Sequence, residues 1–330
     1  MAGRAPGVRE PLALLPMARV LLTGGAGFVG SHTAEALLAA GHEVAGIDNL
    51  RTGCVENLSS FAGHPGWRFF RQDILDAENF NRVVREVAPD VVLHFAGLVS
   101  VPESIANPGL NSEMNVRAVH VMIDAAVMAG VRRVIFASSA AVYGDSTAVP
   151  LDEHSPTRPV SPYGEAKLAG EALVLGRGRT LGFEPVCLRY FNIYGPRQHR
   201  DSPYSGVVSR FLDRLRAGQP LVIFGDGRQT RDFIHVRDVA RANVVAACDP
   251  GPLAGIFNIC SGSEVAVNDL AAALQRQFLS RLDPIFEPGR SGDVKRSAGN
   301  PTRAREILGF SARIALAAGL SEFEGNSVAP

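Results

Sequence analysis

Four cysteines in 330 residues, none of them in a CxxC pair, leave no disulfide framework to read, and the eight histidines show no metal-ligand spacing. A structural zinc site is excluded on the same ground, and a reducing, cytoplasmic compartment fits this cysteine usage. Charge of one sign is also missing. Thirty-three basic residues meet 33 acidic ones, so no bulk field draws the chain to nucleic acid. No run of 18 apolar residues occurs, which excludes a membrane-spanning helix. Lysine is almost absent: Lys167 and Lys295 are the only two among those 33 basic residues. With 46% hydrophobic residues, the chain has an ordinary globular composition and room for about two domains.

The first 16 residues carry a short apolar patch that is too short for a signal-peptide core. They read as a disordered extension, or as a start upstream of Met17; residues 1–18 are set apart from the fold on that basis. From Arg19 the pattern changes. A short apolar strand, Arg19–Leu22, leads into a glycine-rich turn and an amphipathic helix from Ser31 to Ala40. A second strand, Glu43–Ile47, closes on Asp48. Further strands read at Trp67–Gln72, Val91–Phe95, Val134–Ala137 and Pro185–Leu188, with helices at Ala77–Val87, Asn111–Ala129 and Pro162–Leu175. Continuous apolar strands alternating with helices predict an α/β fold, a Rossmann-type doubly wound parallel sheet covered on both faces. Gly176-Arg177-Gly178-Arg179 reads as a frayed helix end. After Tyr190 prolines and glycines loosen the rhythm, with a returning helix at Val236–Cys248 and a returning strand at Ile256–Cys260. The expected division is therefore 19–190 plus about 233–262 for the dinucleotide domain. A smaller mixed α/β substrate lobe takes 191–232 plus 263–330.

The turn Thr23-Gly24-Gly25-Ala26-Gly27-Phe28-Val29-Gly30 follows a strand and opens a helix. There Gly24 permits a tight turn, Gly27 lets a pyrophosphate approach the backbone, and Gly30 lets helix and strand pack closely. The helix N-terminus then offers its unpaired N–H groups to the phosphates. Asp48, 21 residues past Gly27 at the end of the next strand, is placed to hold a ribose diol. A carboxylate there, with Asn49 rather than arginine beside it, favours NAD over NADP.

A second constellation is Ser138-Ser139 after a strand, followed by Tyr163 and Lys167. Tyrosine and lysine at i and i+4 share one helical face. An ammonium beside a phenol stabilises the phenolate, which could take a proton from a sugar hydroxyl while a hydride leaves the same carbon. A serine hydroxyl would fix the substrate oxygen. An arbitrary tyrosine–lysine pair is usually a solvated helix face. Here one of only two lysines occupies the position, and all five tyrosines fall between Tyr143 and Tyr204.

The strings TGGAGFVG, Asp73-Ile74, HFAG (His94–Gly97), SSAAVYG, SPYGEAK and RYFNIYGPRQ together resemble the extended short-chain dehydrogenase/reductases. Within them the chain is similar to the NAD-dependent UDP-sugar 4-epimerases, from about Arg19 to Leu308. The resemblance implies that Tyr163 is the base, Lys167 holds the nicotinamide ribose, and Ser139 binds the sugar near O4. It implies adenine contacts for Asp73 and Ile74 and a cofactor lining of Phe95, Ala96, Gly97, Ser138 and Tyr190, beside Phe28 and Val29 of the glycine turn. Asn115 matches a structural asparagine grouped with the cofactor site. Asn192, Phe224 and Arg231 match positions that hold the nucleotide, Arg231 through the pyrophosphate. Val99-Ser100-Val101-Pro102 places Ser100 near the sugar, and Arg290 and Asp293 belong to the segment that leads to Ser297. The apolar faces of Asn111–Ala129 and Pro162–Leu175 form a homodimer seam in that family, although such faces could equally pack inside a monomer.

The same fold hosts several reactions, so the site must decide among them. Dehydratases of the family carry Asp-Glu just before Val-Tyr-Gly, and decarboxylases carry a glutamate at the second of these positions. This chain has Ala140-Ala141. A 4-keto sugar there has no partner for a second reaction, which leaves epimerisation. Asn192, where uronate epimerases usually have threonine, counts against glucuronate. Ser297 stands where hexose-only members carry a tyrosine, which leaves room for an N-acetyl group beside plain UDP-glucose and UDP-galactose. A uronate or other UDP-sugar epimerase, a 4-ketoreductase and a non-catalytic NAD sensor are the alternatives. His94, Cys187 and Cys260 read as packed core residues, and His199 and Asp201 as solvated loop residues.

Overall fold

The computed structural model describes residues 17–146, 148–198, 206–289 and 294–323. The extension at 1–16, and the loop positions His199, Asp201, Arg290 and Asp293, lie outside the described residues.

Strands β1 (Arg19–Thr23), β2 (Glu43–Asp48), β3 (Trp67–Arg71), β4 (Val91–His94), β5 (Arg133–Ser139) and β6 (Glu184–Tyr190) alternate with helices. These are α1 (Phe28–Ala39), α2 (Ala77–Val87), α3 (Val101–Ala106), α4 (Pro108–Ser112), α5 (Ala118–Met128) and α6 (Pro162–Leu181). Beyond them come β7 (Asn192–Tyr194), α7 (Val207–Arg216), β8 (Val222–Phe224), β9 (Thr230–Arg231), β10 (Phe233–His235) and α8 (Val236–Cys248). The chain closes with β11 (Gly255–Ile259), β12 (Val265–Ala266), α9 (Val267–Gln277), β13 (Ile285–Glu287) and α10 (Leu316–Ser321).

Seven strands form one parallel sheet in the order β11-β6-β5-β4-β1-β2-β3. This is a doubly wound Rossmann sheet, and its order reverses between β1 and β4. Period-two alternation explains why the strands read as unbroken apolar runs. Val20, Leu22, Val91, Leu93 and Ile135 face one core, with α1 and α8. Leu21, Val92, Val134, Phe136 and Cys187 face the other, with α2, α5 and α6. A third core, built from α7, α9 and the strands between them, forms the smaller lobe.

Three expectations need correction. Helix α6 runs through Gly176–Arg179 to Leu181, because Gly178 lets the helix lie against Pro185: a Cβ there would stand 2.7 Å from the proline ring. Gly182, with φ +85°, ends the helix in the left-handed region. The helix expected over Asn111–Ala129 is broken by a π-turn at Glu113–Arg117, which brings Asn111 and Asn115 into hydrogen bonding at 2.7 Å. The segment around Ala304, Leu308 and Phe310, assigned to the lobe, joins the first core and lies against α8 and β11. Apolar side chains returning to the sheet outweigh the loosened local rhythm. No described helix is long and apolar enough to cross a membrane.

Candidate active site

The C-terminal ends of β1, β2, β4, β5 and β6 open on one side of the sheet, and the glycine turn sits at the reversal of strand order. Gly24 has φ +73°, and a Cβ on it would lie 2.9 Å from Ala96 N. A Cβ on Gly30 would lie 2.1 Å from Gly24 O, so α1 seats against the turn only because that atom is missing. Gly27 caps α1 without any side-chain hydrogen bond, and the first turn holds no acidic residue. Its N–H groups are thus available to an anion. Phe28 and Val29 form that turn of the helix, with Phe28 edge-on to His32.

Asp48 ends β2 and is buried. Its carboxylate accepts Ala26 N at 3.0 Å and Leu50 N at 2.8 Å, while burial pushes its pKa up against these hydrogen bonds. A Cβ on Gly53 would meet that carboxylate at 2.7 Å, so the glycine keeps a cradle open above it. Asn49 donates to Asp73 at 2.9 Å and joins the ends of β2 and β3, with Ile74 buried behind. On the other side, Phe95 N donates to Thr23 O and Ala96 N to Thr23 Oγ1. Asn115 is buried and donates to Leu98 O at 2.9 Å; its Oδ1 lacks a partner and would stand 2.4 Å from a Cβ on Gly97. An uncapped helix start, an open cradle at a carboxylate and glycines at each close approach fit a dinucleotide.

The reacting groups lie at the end of β5. Ser139 Oγ accepts Ala141 N at 3.2 Å, and the same hydroxyl acts, against burial, to lower the pKa of the Tyr163 phenol. Helix α6 starts there because Ser161 caps it and Pro162 occupies its first turn. Gly164 brings that turn against Ala141 O, which a Cβ would approach to 2.8 Å. Lys167 is buried, donates to Ala137 O at 2.9 Å and stands 5.8 Å from the Tyr163 ring centre. Burial lowers its pKa to about 8, with the Glu171 carboxylate opposing. Burial also pushes the Tyr163 phenol up from its ordinary value, against the Ser139 hydroxyl. The expected drop toward neutrality is therefore not built from these side chains alone. Within the turn Ala140–Tyr143 the ionisable side chain is Tyr143, buried and donating to Asn258 at 2.7 Å.

Two of the expected site serines also serve the local structure. Ser138 donates to Glu171 at 2.5 Å, behind the dyad, and not toward the cofactor cradle. Ser100 caps α3 by accepting Glu103 N at 3.0 Å, which leaves its O–H free to donate, as for Ser139. Tyr190 presents only its ring, since its hydroxyl donates to Asn243 at 2.7 Å. Asn192, Phe224 and Arg231 line one cleft together with Val207, Arg210, Phe211, Gln229 and Val267. Ser297 is buried outside that lining, in a segment tied to β9.

Sequence reasoning missed Glu171, which accepts two hydrogen bonds from Arg189 at 2.8 and 2.7 Å behind Lys167. It also missed Arg210, whose guanidinium lies 5.6 Å from the Phe224 ring centre, and Asp232, whose carboxylate accepts from Ser261, Gly262 and Gly299. Glu171 was accessible in principle, at i+4 from Lys167 on the same helix. Packed histidine and cysteine readings hold: His94 is buried with Nδ1 2.7 Å from Thr23 Oγ1, and Cys187 and Cys260 are buried.

Residues 20–260 match the model of the NAD dependent epimerase/dehydratase family. A UDP-glucose 4-epimerase of Mycolicibacterium smegmatis is 38% identical over 307 residues, covering 92% of this chain and 96% of the relative. The UDP-N-acetylglucosamine 4-epimerase of Methanobrevibacter ruminantium, solved with UDP-N-acetylmuramic acid, superposes with a TM-score of 0.88 at 33% identity, over 94% of this chain and 97% of that one. The UDP-glucose 4-epimerase of Thermus thermophilus, solved with NAD, gives a TM-score of 0.85 at 35% identity, over 94% of this chain and 100% of that one.

Proposed function

This chain belongs to the NAD dependent epimerase/dehydratase family, and from that premise we propose that it is a UDP-hexose 4-epimerase. It interconverts UDP-glucose with UDP-galactose, and UDP-N-acetylglucosamine with UDP-N-acetylgalactosamine. The observation that carries this reading is buried Lys167 set against the Tyr163 ring at the end of β5, where Ser139 stands, beside an Ala140–Tyr143 turn that offers no second acid or base to the sugar.

The residues act in sequence. Tyr163 takes the proton from O4 and later returns it, while Ser139 holds that oxygen in register. Lys167 presents a cation beneath the phenol ring and toward the nicotinamide ribose. Bound here, NAD would supply reversible hydride transfer at C4, so that a 4-keto sugar could be reduced on either face. Gly24, Gly27, Gly30, Asp48 and Asp73 hold the dinucleotide, and Asp48 repels a 2′-phosphate. Asn192, Phe224 and Arg231 grip the nucleotide. No residue at 140 or 141 removes a second proton, so dehydration and decarboxylation have no route. Ser297 lies outside the lining of the nucleotide cleft, but its place in the family pattern puts it at the C2 side of the sugar, where a serine admits an N-acetyl group. We assign the working form as a homodimer through the outer faces of α5 and α6, where Met128 is exposed, in a reducing cytoplasm that suits four unpaired cysteines.

The test is to incubate the purified protein, without added NAD, with UDP-glucose and separately with UDP-N-acetylglucosamine, and to resolve the epimers by chromatography. Conversion of both is expected. No conversion of either, even with NAD supplied, overturns the assignment.

A further inference from the structure

Ser297 lies in a stretch without regular secondary structure, yet its flanks are tied on several sides. Lys295 N donates to Asp145 at 3.0 Å, and Lys295 O accepts from Thr230 N at 2.9 Å, so the catalytic half and β9 grip the same residue. Arg231 donates from Nη1 to Val294 O at 2.6 Å. A side-chain tie completes the set. Arg296 donates from Nε and Nη2 to the two oxygens of Glu264 at 2.8 and 2.7 Å, and Glu264 also accepts from the Thr230 hydroxyl. Glu264 stands immediately before β12, whose Val265 pairs with Arg231.

A fork-to-carboxylate pair fixes orientation as well as distance. Its hydrogen bonds to Arg296 and Thr230 hold the Glu264 carboxyl down to about 2, so the tie persists at any working pH. A steric wall rejects a bulky substituent only while its backbone cannot give way. We infer that Glu264, acting through Arg296, is the positioning residue for sugar selectivity: it fixes segment 294–297 against β9, so that the arginine gripping the nucleotide and the wall facing C2 keep one separation. This rests on reading Ser297 as that wall. Neither Glu264 nor Arg296 touches the reacting atoms; they set where the wall stands.

The experiment measures kcat/KM for UDP-glucose and UDP-N-acetylglucosamine in Ser297→Tyr, and then in the same background with Glu264→Ala or Arg296→Ala added. Ser297→Tyr is expected to shift the ratio against the N-acetyl sugar by about tenfold or more. Either second substitution is expected to recover about threefold of that shift, because the tyrosine is then carried on a yielding backbone. Arg296 is half exposed, at 50% of its side chain, so its truncation leaves a folded protein even if Glu264→Ala does not. A ratio unmoved by Arg296→Ala, or an equal loss on both substrates, overturns the inference and leaves the gate reading intact. A Ser297→Tyr variant with unchanged ratio removes the gate itself, and the inference with it.

Discussion

The two halves of this molecule hold their functional groups by different means. In the cofactor half, positions follow from a regular parallel sheet: strand ends set where Asp48, Phe95 and Ser139 stand, and glycines set how closely backbones approach. In the substrate lobe the strands are two or three residues long, and buried or half-buried ion pairs and carboxylate hubs do the positioning. Asp232 there gathers four hydrogen bonds from Ser261, Gly262 and Gly299. A sheet tolerates side-chain loss at its ends, whereas a polar hub loses all its ties with one group. Chemistry should therefore be separable from binding in the first half and less so in the second.

The largest expected effect tests that separation. Tyr163→Phe removes the proton acceptor and keeps the ring, and turnover should fall by about 10²–10⁴-fold. Bound NAD, measured by release on denaturation, should stay at its original level. Loss of both together would mean that Tyr163 shapes the cofactor half and does not only act on the sugar. Gly30→Ala attacks the same half through its backbone. With a Cβ 2.1 Å from Gly24 O, α1 must shift away from the turn. A cost of about 1–3 kcal/mol is expected from such overpacking, seen in thermal unfolding, with NAD retention reduced before hexose binding is affected. Full NAD retention at unchanged stability would show that the turn can give.

How far each half was legible follows from the same contrast. Gly24, Asp48, Tyr163 and Lys167 are readable because strand-turn-helix spacing and helical i, i+4 spacing are local, and local pattern decides their geometry. Asn192, Phe224 and Arg231 came only by resemblance, since no periodicity links them. The ties that position the substrate wall were invisible for a physical reason: Glu264 and Arg296 are 32 residues apart, and Asp232 and Gly299 are 67 apart. Nothing in the intervening sequence repeats. The structural ties of Ser138 and Ser100 were not legible, because a serine before a helix or at a strand end has several uses for its hydroxyl, and only packing shows which are taken up. Gly178 was misread for the converse reason, as a glycine that marks close approach to Pro185 looks locally like a helix breaker.

Acid exposes the cofactor half next. His94 is buried and its pKa is lowered to about 3 by burial, then by the Lys167 charge; His32 is lowered to about 4, chiefly by burial. Both are neutral when folded, whereas an unfolded histidine takes a proton near 6.5. The unfolded chain therefore binds more protons between about pH 6.5 and the folded values, and stability falls as pH drops through that window. Each such group contributes up to about 1.4 kcal/mol per pH unit, so unfolding free energies from urea titrations at pH 7 and pH 4.5 should differ by about 2–3 kcal/mol for His94 alone. His94→Asn should flatten that slope. An unchanged slope would move the acid-sensitive role to the other buried histidines, His32 and His235, both also lowered by burial.

The smallest effect lies at the seam. Arg197, just past β7, donates to Glu35 of α1 at 2.8 Å and to Ser60 at 3.1 Å, and so joins the lobe's leading loop to the cofactor half. Both partners of the ion pair keep solvent contact, with Glu35 at 41% exposure, so its worth is at most about 1 kcal/mol. Arg197 also holds φ +66°, in the left-handed region that a side chain enters at a cost of about 1–2 kcal/mol. Arg197→Ala loses the tie and keeps the strain, whereas Arg197→Gly loses the tie and relieves it. Glycine should therefore be the more stable of the two variants, close to the wild-type urea midpoint, with epimerase turnover unchanged in both. If glycine instead unfolds earlier than alanine, the backbone there is held by the arginine side chain and its contacts, and the seam belongs to the polar scaffold of the lobe rather than to a surface pair.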